Sequence, residues 1–258
     1  MQRSAVRPSP VFFGILAVSV VGGFLAAYGD SASLTGSKDP MFIAGVVLLV
    51  AGGWIASLTL HEFGHAIVAY RGGDGSIPDK GYLTLDVRRY TDPVLSIVLP
   101  LVFLLIGGIP LPGGAVWINR GALRTRATSM WVSLAGPLSN LGAGAALCLV
   151  IALVPMAQGL FYGLSYLALL QVMTFLINIL PIPGLDGWGA LEPYLSPQAR
   201  EFGARVRPWA PLVLFALLFA FQAVSNLLWD VARAIFGALG GSDLAGVIGQ
   251  AAFLFWRN

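Results

Sequence analysis

Five stretches of this chain are apolar for long enough to cross a bilayer: Val11 to Tyr28, Met41 to Tyr70, Ala127 to Pro155, Leu160 to Leu180, and Pro211 to about Gly237. A hydrocarbon core about 30 Å thick is spanned by roughly 20 apolar residues of helix. Backbone placed in lipid must satisfy its own hydrogen bonds, so each stretch is restricted to a helix or to structure covered by other protein. Composition agrees, because 57% of the 258 residues are hydrophobic, only 10% are charged, and the mean hydropathy is +0.81. The expected fold is an all-α polytopic membrane protein with about five to six transmembrane helices. The longest polar stretches, Arg71 to Asp92 and Gly184 to Arg207, are loop-sized, so residues 1–258 read as a single membrane-embedded domain. The 15 Lys and Arg against 12 Asp and Glu form no basic run interleaved with aromatics, which argues against a nucleic-acid partner. Cys148 is the single cysteine and lies within an apolar span, which excludes an intrachain disulfide and a cysteine-based zinc cage.

A shorter apolar piece, Val94 to Ile109, contains Pro100 and decides the topology. Arg3 and Arg7 precede the first span, which is followed by the small residues Ser31 to Ser33; an uncleaved first helix is expected, and a cleaved leader gives the same starting side. If the short piece crosses fully, alternation puts eight basic residues inside and seven outside. If it dips in and returns, the loops carrying Arg120, Arg124, Arg126, Arg200, Arg205 and Arg207 move inside, and the split becomes twelve to three. Cytoplasmic loops of membrane proteins are enriched in Lys and Arg, so Val94 to Asn119 is expected to be a re-entrant hairpin. Leu244 to Trp256 is too short to assign as a span and fits an interfacial position.

Inside the second span lies His61-Glu62-Phe63-Gly64-His65, which contains the only two histidines of the chain. Histidines at i and i+4 project from one helical face about a turn apart, so both imidazoles can ligate one ion. Glu62 points to the side of that pair, within reach of a metal-bound water. A lone helical histidine is usually a satisfied packing residue, but this motif holds the chain's whole histidine content. A carboxylate at membrane depth is costly enough to point to function. A catalytic zinc wants three protein ligands and one open position. With no further histidine, the third ligand should be an Asp or Glu at a span end on the same side. Asp186, after the helix-breaking Pro181, Pro183 and Gly184, is the candidate, and its pattern also fits an ordinary helix-terminating turn. Glu192 is the nearby alternative. In the twelve-to-three topology the second and fourth spans both descend to the same side, which lets the ligands meet; in the other they end on opposite faces.

These motifs resemble the site-2 protease family of intramembrane zinc metalloproteases. HEFGH matches the family's HExxH, Asn178 to Gly187 (NILPIPGLDG) matches its NxxPxxxLDG, and Ala135 to Asn140 (AGPLSN) is a third match. The resemblance runs from about Met41 to Tyr194 and leaves no room for the PDZ or CBS domain of larger members. It implies one Zn2+ held by His61, His65 and Asp186, Glu62 as general base, and Asn140 near the substrate carbonyl. Gly113 to Asn119 (GGAVWIN) resembles the family's membrane-embedded strand, whose exposed edge, with Val116 and Trp117, would hold an unwound substrate by strand addition; a plain structural hairpin is the alternative for this stretch. Asn178 is a further substrate-binding candidate, and interhelical hydrogen bonding is the simpler role for both it and Asn140. The implied activity is zinc-dependent cleavage of transmembrane substrate proteins in regulated intramembrane proteolysis. The implied setting is the cell membrane, multi-pass, with the active site toward the cytoplasmic side. A non-proteolytic zinc-binding scaffold or a transporter is the rival reading; an intact Glu62 speaks against the first, and the lack of further intramembrane carboxylates against the second.

Overall fold

The computed structural model describes residues 6–31, 39–90, 101–102, 104–105 and 116–257. Four helices are long and apolar enough to cross a membrane: α1 (Pro10–Tyr28), α2 (Pro40–Gly72), α3 (Arg126–Leu153) and α4 (Gln158–Asn178). They coincide with the first four expected spans, and the chain is an all-α polytopic membrane protein. The starts of α1, α2 and α3 are capped by Ser9, Asp39 and Thr125, whose side chains accept from Phe12, Met41 and Thr128 backbone N–H groups. Pro10 and Pro40 occupy first-turn positions, where a missing N–H costs nothing. α2 is the longest helix, at 33 residues. Large apolar side chains coat the outside, including Phe13 and Phe24 on α1 and Leu149 and Leu153 on α3, as expected of a surface that meets lipid.

Glycines let the helices meet backbone to backbone. A Cβ on Gly22 would run into Leu49 and Gly45, and one on Gly45 would run into Ala26, so α1 lies directly against α2. α4 runs parallel to α2, because Gly159 meets Phe42, Gly163 meets Leu49 and Leu167 meets Gly53 in order. α3 is antiparallel to both: Thr128 meets Gly72, Gly136 meets the two histidines, and Gly144 meets Gln171. The C-terminal ends of α2 and α4 therefore share one end of the bundle with the N-terminal end of α3. That end also gathers basic residues. The amide of Arg7 donates to Leu83, that of Arg124 donates to Gly72, and Arg120 and Arg207 both pair with Glu192. The arrangement is the one required by the twelve-to-three topology. The expected re-entrant piece, Val94 to Ile109, lies mostly outside the described residues, as do Gly113 to Ala115 of the expected strand. Among the described residues there is no β-strand, and Val116 to Asn119 is irregular backbone.

Beyond α4 come α5 (Asp186–Leu191), α6 (Pro197–Val206), α7 (Ala210–Ala220), α8 (Gln222–Ala238) and α9 (Asp243–Phe253). The expected fifth span, Pro211 to Gly237, is not one helix. It breaks at Phe221, which is extended at φ −120° and ψ 98°. The cause is legible in α8, where Gln222, Asn226, Asp230 and Arg233 recur at helical spacing; Gln222 donates to Asn226 at 2.9 Å and Arg233 pairs with Asp230 at 3.6 Å. A helix with such a stripe is a poor lipid-spanning element, and the 11 residues of α7 extend only about 16 Å. The remaining candidate is the bent pair α6 and α7, which meet at 61° and would give a fifth span. The C-terminal stretch is likewise more than an interfacial piece: Phe253 is fully buried, its ring 5.6 Å from that of Tyr166, and a Cβ on Gly249 would strike the Tyr162 carbonyl. Free Cys148 is buried in the core, as expected.

Candidate metal centre

The last turns of α2 place His61 and His65 one above the other, with ring centroids 4.7 Å apart and planes at 83°. Both residues are buried, at 5% and 6% exposure. Their Nε2 atoms lie 3.1 Å apart. Asp186 arrives from the far side of a sharp reversal after α4, where Gly184 adopts a left-handed φ of 102°. A Cβ on Gly187 would overlap the carbonyls of Ile179 and Leu180, so only glycine lets the start of α5 fold back onto the end of α4. The result brings Asp186 Oδ2 to 3.2 Å from His61 Nε2 and 3.4 Å from His65 Nε2.

These three edges fit a zinc ion. Ligands about 2.0–2.2 Å from a tetrahedral metal stand about 3.3 Å from one another. Among the described residues, His61, His65 and Asp186 are the one group of at least three His, Cys, Asp or Glu residues arranged to hold an ion. Space is kept for it by Gly136 of α3, where an added Cβ would overlap the Nε2 atoms of both histidines. The outer partners fit as well. His65 Nδ1 lies 2.7 Å from the Val132 carbonyl, which can only accept, so Nδ1 carries the proton and Nε2 presents its lone pair. His61 Nδ1 lies 2.6 Å from Asn140 Oδ1. Asn140 Nδ2 in turn donates to Gln171 Oε1 at 2.9 Å.

Glu62 is 2% exposed beside this trio. Its carboxylate accepts from the backbone N–H of Val116, and Oε2 has no partner. Of the residues singled out from sequence, His61, Glu62, His65, Asp186 and Asn140 converge, and Val116 joins them through its backbone. Asn178 donates its amide to the Thr174 carbonyl of its own helix at 3.1 Å, so its bond closes within α4 and neither crosses to another helix nor reaches the trio. Trp117 is exposed; its carbonyl accepts from Lys80 Nζ at 2.7 Å. Glu192 is held by Arg207 at 3.1 Å and Arg120 at 3.7 Å, and stands outside the ion-holding group. Gly136, Val132 and Gln171 were not anticipated. Gln171 had a usable signal, a buried amide in the middle of an apolar span. α1 to α4 also line an apolar groove of about 810 Å³ that reaches from Tyr28 and Ala157 to Leu60 and Gln171.

No protein-family model matches this chain, and no solved structure matches it. It is 40% identical over 257 residues to a Mycobacterium tuberculosis H37Rv protein named "Putative zinc metalloprotease Rip2", covering 99% of this chain and 96% of that one. A Mycolicibacterium smegmatis protein of the same name is 40% identical over 256 residues, covering 98% of this chain and 96% of that one. "Putative zinc metalloprotease YwhC" of Bacillus subtilis strain 168 is 31% identical over 194 residues, covering 70% of this chain and 84% of that one.

Proposed function

The chain belongs to the site-2 protease family of intramembrane zinc metalloproteases, and from that premise we propose that it is an endopeptidase cutting transmembrane protein substrates, with His61, His65 and Asp186 holding one zinc ion and Glu62 acting as general base. The observation that carries this reading is the trio of Nε2 and Oδ2 atoms at tetrahedral-edge separations with a buried carboxylate on the residue after the first histidine. When bound, the ion polarises a peptide carbonyl and brings the pKa of a water on its open position to about 7. Glu62 takes the proton of the attacking water and delivers it to the departing amine nitrogen, so hydrolysis leaves Glu62 unchanged. Val116 N–H holds one carboxylate oxygen, which leaves the unpartnered Oε2 as the oxygen for the proton.

A substrate helix shields its peptide bonds, so it must unwind beside the site. The irregular segment Val116 to Asn119, next to Glu62, is suited to take the extended chain by backbone pairing, and the apolar groove beside Leu60 suits lateral approach from lipid. The gathering of arginines at the metal-bearing end supports a cytoplasmic placement of the site in a multi-pass cell-membrane protein. Residues 1–258 act as one domain in this reading, with the catalytic core at 41–194. A zinc-binding scaffold or a transporter differs from it in one measurable respect. In proteoliposomes with a single-span substrate, wild type should cleave and Glu62→Gln should lose about 10²-fold or more of the rate with its zinc still bound. Equal cleavage by both proteins would overturn the assignment of Glu62, and no cleavage by either would favour the scaffold.

A further inference from the structure

We propose that Gln171 is a positioning residue for the metal centre: by accepting from Asn140 at the far end of the hydrogen-bond chain Gln171–Asn140–His61, it holds Asn140 with its oxygen toward His61 and so favours the tautomer that ligates. The proposal rests on the ligand set given above. The chain consists of His61 Nδ1 to Asn140 Oδ1 at 2.6 Å and Asn140 Nδ2 to Gln171 Oε1 at 2.9 Å. His61, Asn140 and Gln171 are 5%, 1% and 0% exposed, so water does not compete for these groups.

A side-chain amide has a donor end and an acceptor end, so such a chain can run in either direction. In one direction His61 Nδ1–H donates to Asn140 Oδ1, Asn140 Nδ2–H donates to Gln171 Oε1, and His61 Nε2 offers a lone pair to the ion. In the other, Gln171 donates to Asn140, Asn140 donates to Nδ1, and the imidazole proton sits on Nε2, where it blocks ligation. Either amide can exchange its ends by a flip, so neither fixes the direction alone. A ligating His61 requires Asn140 to present Oδ1 to Nδ1, which turns Asn140 Nδ2 the other way, and Gln171 Oε1 is the buried acceptor that meets it there. His65 needs no such device, because the Val132 carbonyl admits one direction only. Asn140 thereby acquires a task toward the ligand, distinct from the substrate contact expected from its motif.

The test is zinc affinity of the full chain in nanodiscs, measured by chelator competition. Gln171→Met, close in shape but without an amide, should weaken zinc binding about 10- to 100-fold, the usual effect of losing an outer partner. Gln171→Glu, which keeps a carboxyl oxygen to accept from Asn140 whether or not it is protonated, should bind as tightly as wild type. Asn140→Ala should weaken binding to a similar degree, and adding Gln171→Met to it should cost nothing more, because the residue acts through Asn140. A packing role for Gln171 gives the reverse order, with Met tolerated and the carboxylate harmful. Wild-type affinity in Gln171→Met, loss of zinc from a folded Gln171→Glu, or additive effects in the double variant would each overturn the proposal. Should Gln171→Met fail to fold, the Gln171→Glu result decides alone. Failure of the ligand set itself reads differently: Asp186→Ala would keep its zinc, or wild type would hold none.

Discussion

At Gly136 a single methyl group separates a pocket from a filled space. An added Cβ would overlap both histidine Nε2 atoms, at a point where α2 and α3 approach so closely that a Cβ on Gly64 would also press on the Ala135 carbonyl. Gly136→Ala is expected to take bound zinc from one per chain toward none while the metal-free protein keeps its helical content, because the methyl occupies the ion's place. Metal analysis beside circular dichroism checks this, and full zinc in a folded Gly136→Ala would refute it. Two carboxylates give a sharper contrast. Asp186→Ala should lose zinc, whereas Glu192→Ala should retain it and lose at most about 1 kcal/mol of stability, as fits partly exposed ion pairs to Arg120 and Arg207. At this scale the ligands are legible in the sequence, since two histidines one turn apart announce themselves and Asp186 follows a run of helix breakers. Gly136 and Val132 are not, because their roles come from how α3 packs on α2, and Gln171 shows in the sequence only as an amide within an apolar span, with its partner Asn140 set by how α4 packs on α3.

Among the elements, the connection after α2 holds Val116, the neighbour of Glu62, in place. Asp74, 1% exposed, accepts from the Asn119 backbone N–H at 2.7 Å and from the Ser76 hydroxyl at 2.6 Å, tying the end of α2 to the segment that starts at Val116. Burial pushes the Asp74 carboxyl up; the hydrogen bonds from Ser76 and Asn119, with Lys80 nearby, outweigh it and hold the group below the usual carboxylate range. A depressed folded-state value means that the tie is at full strength above about pH 3.9, where the unfolded carboxyl titrates, and weakens as pH falls through the folded value. Asp74→Ala should therefore speed hydrogen exchange of the Asn119 amide at neutral pH by an opening free energy of about 1.5–3 kcal/mol. Wild type should show the same loosening only in acid below the usual carboxylate range, and an Asn119 amide equally protected in both proteins at neutral pH would refute the tie. Four long helices are evident from apolar length alone, for lipid asks little else of a sequence. The break at Phe221 is less so, because a hydropathy window averages α7 with the apolar face of α8 and misses the polar stripe.

For the whole molecule, depth matters more than outline. The 33 residues of α2 extend about 50 Å, well beyond a hydrocarbon layer of about 30 Å. The 19-residue α1 matches only part of it, from Phe42 beside Gly29 to the level where Phe12 packs with Ala56 and Phe63. HEFGH thus sits where the apolar belt of the bundle runs out, toward the basic end. Under the proposed activity, the bonds within reach are those in the last turns of a substrate's span on that side. Moving a substrate's span along its sequence in steps and sizing the fragments by mass spectrometry should show the cut following the basic-side border; cuts at a fixed sequence position would contradict it. The two fragments would then be unequal in character. One is an almost intact membrane anchor that stays behind, and the other leaves with only a few apolar residues at its new end, few enough for it to dissolve without help.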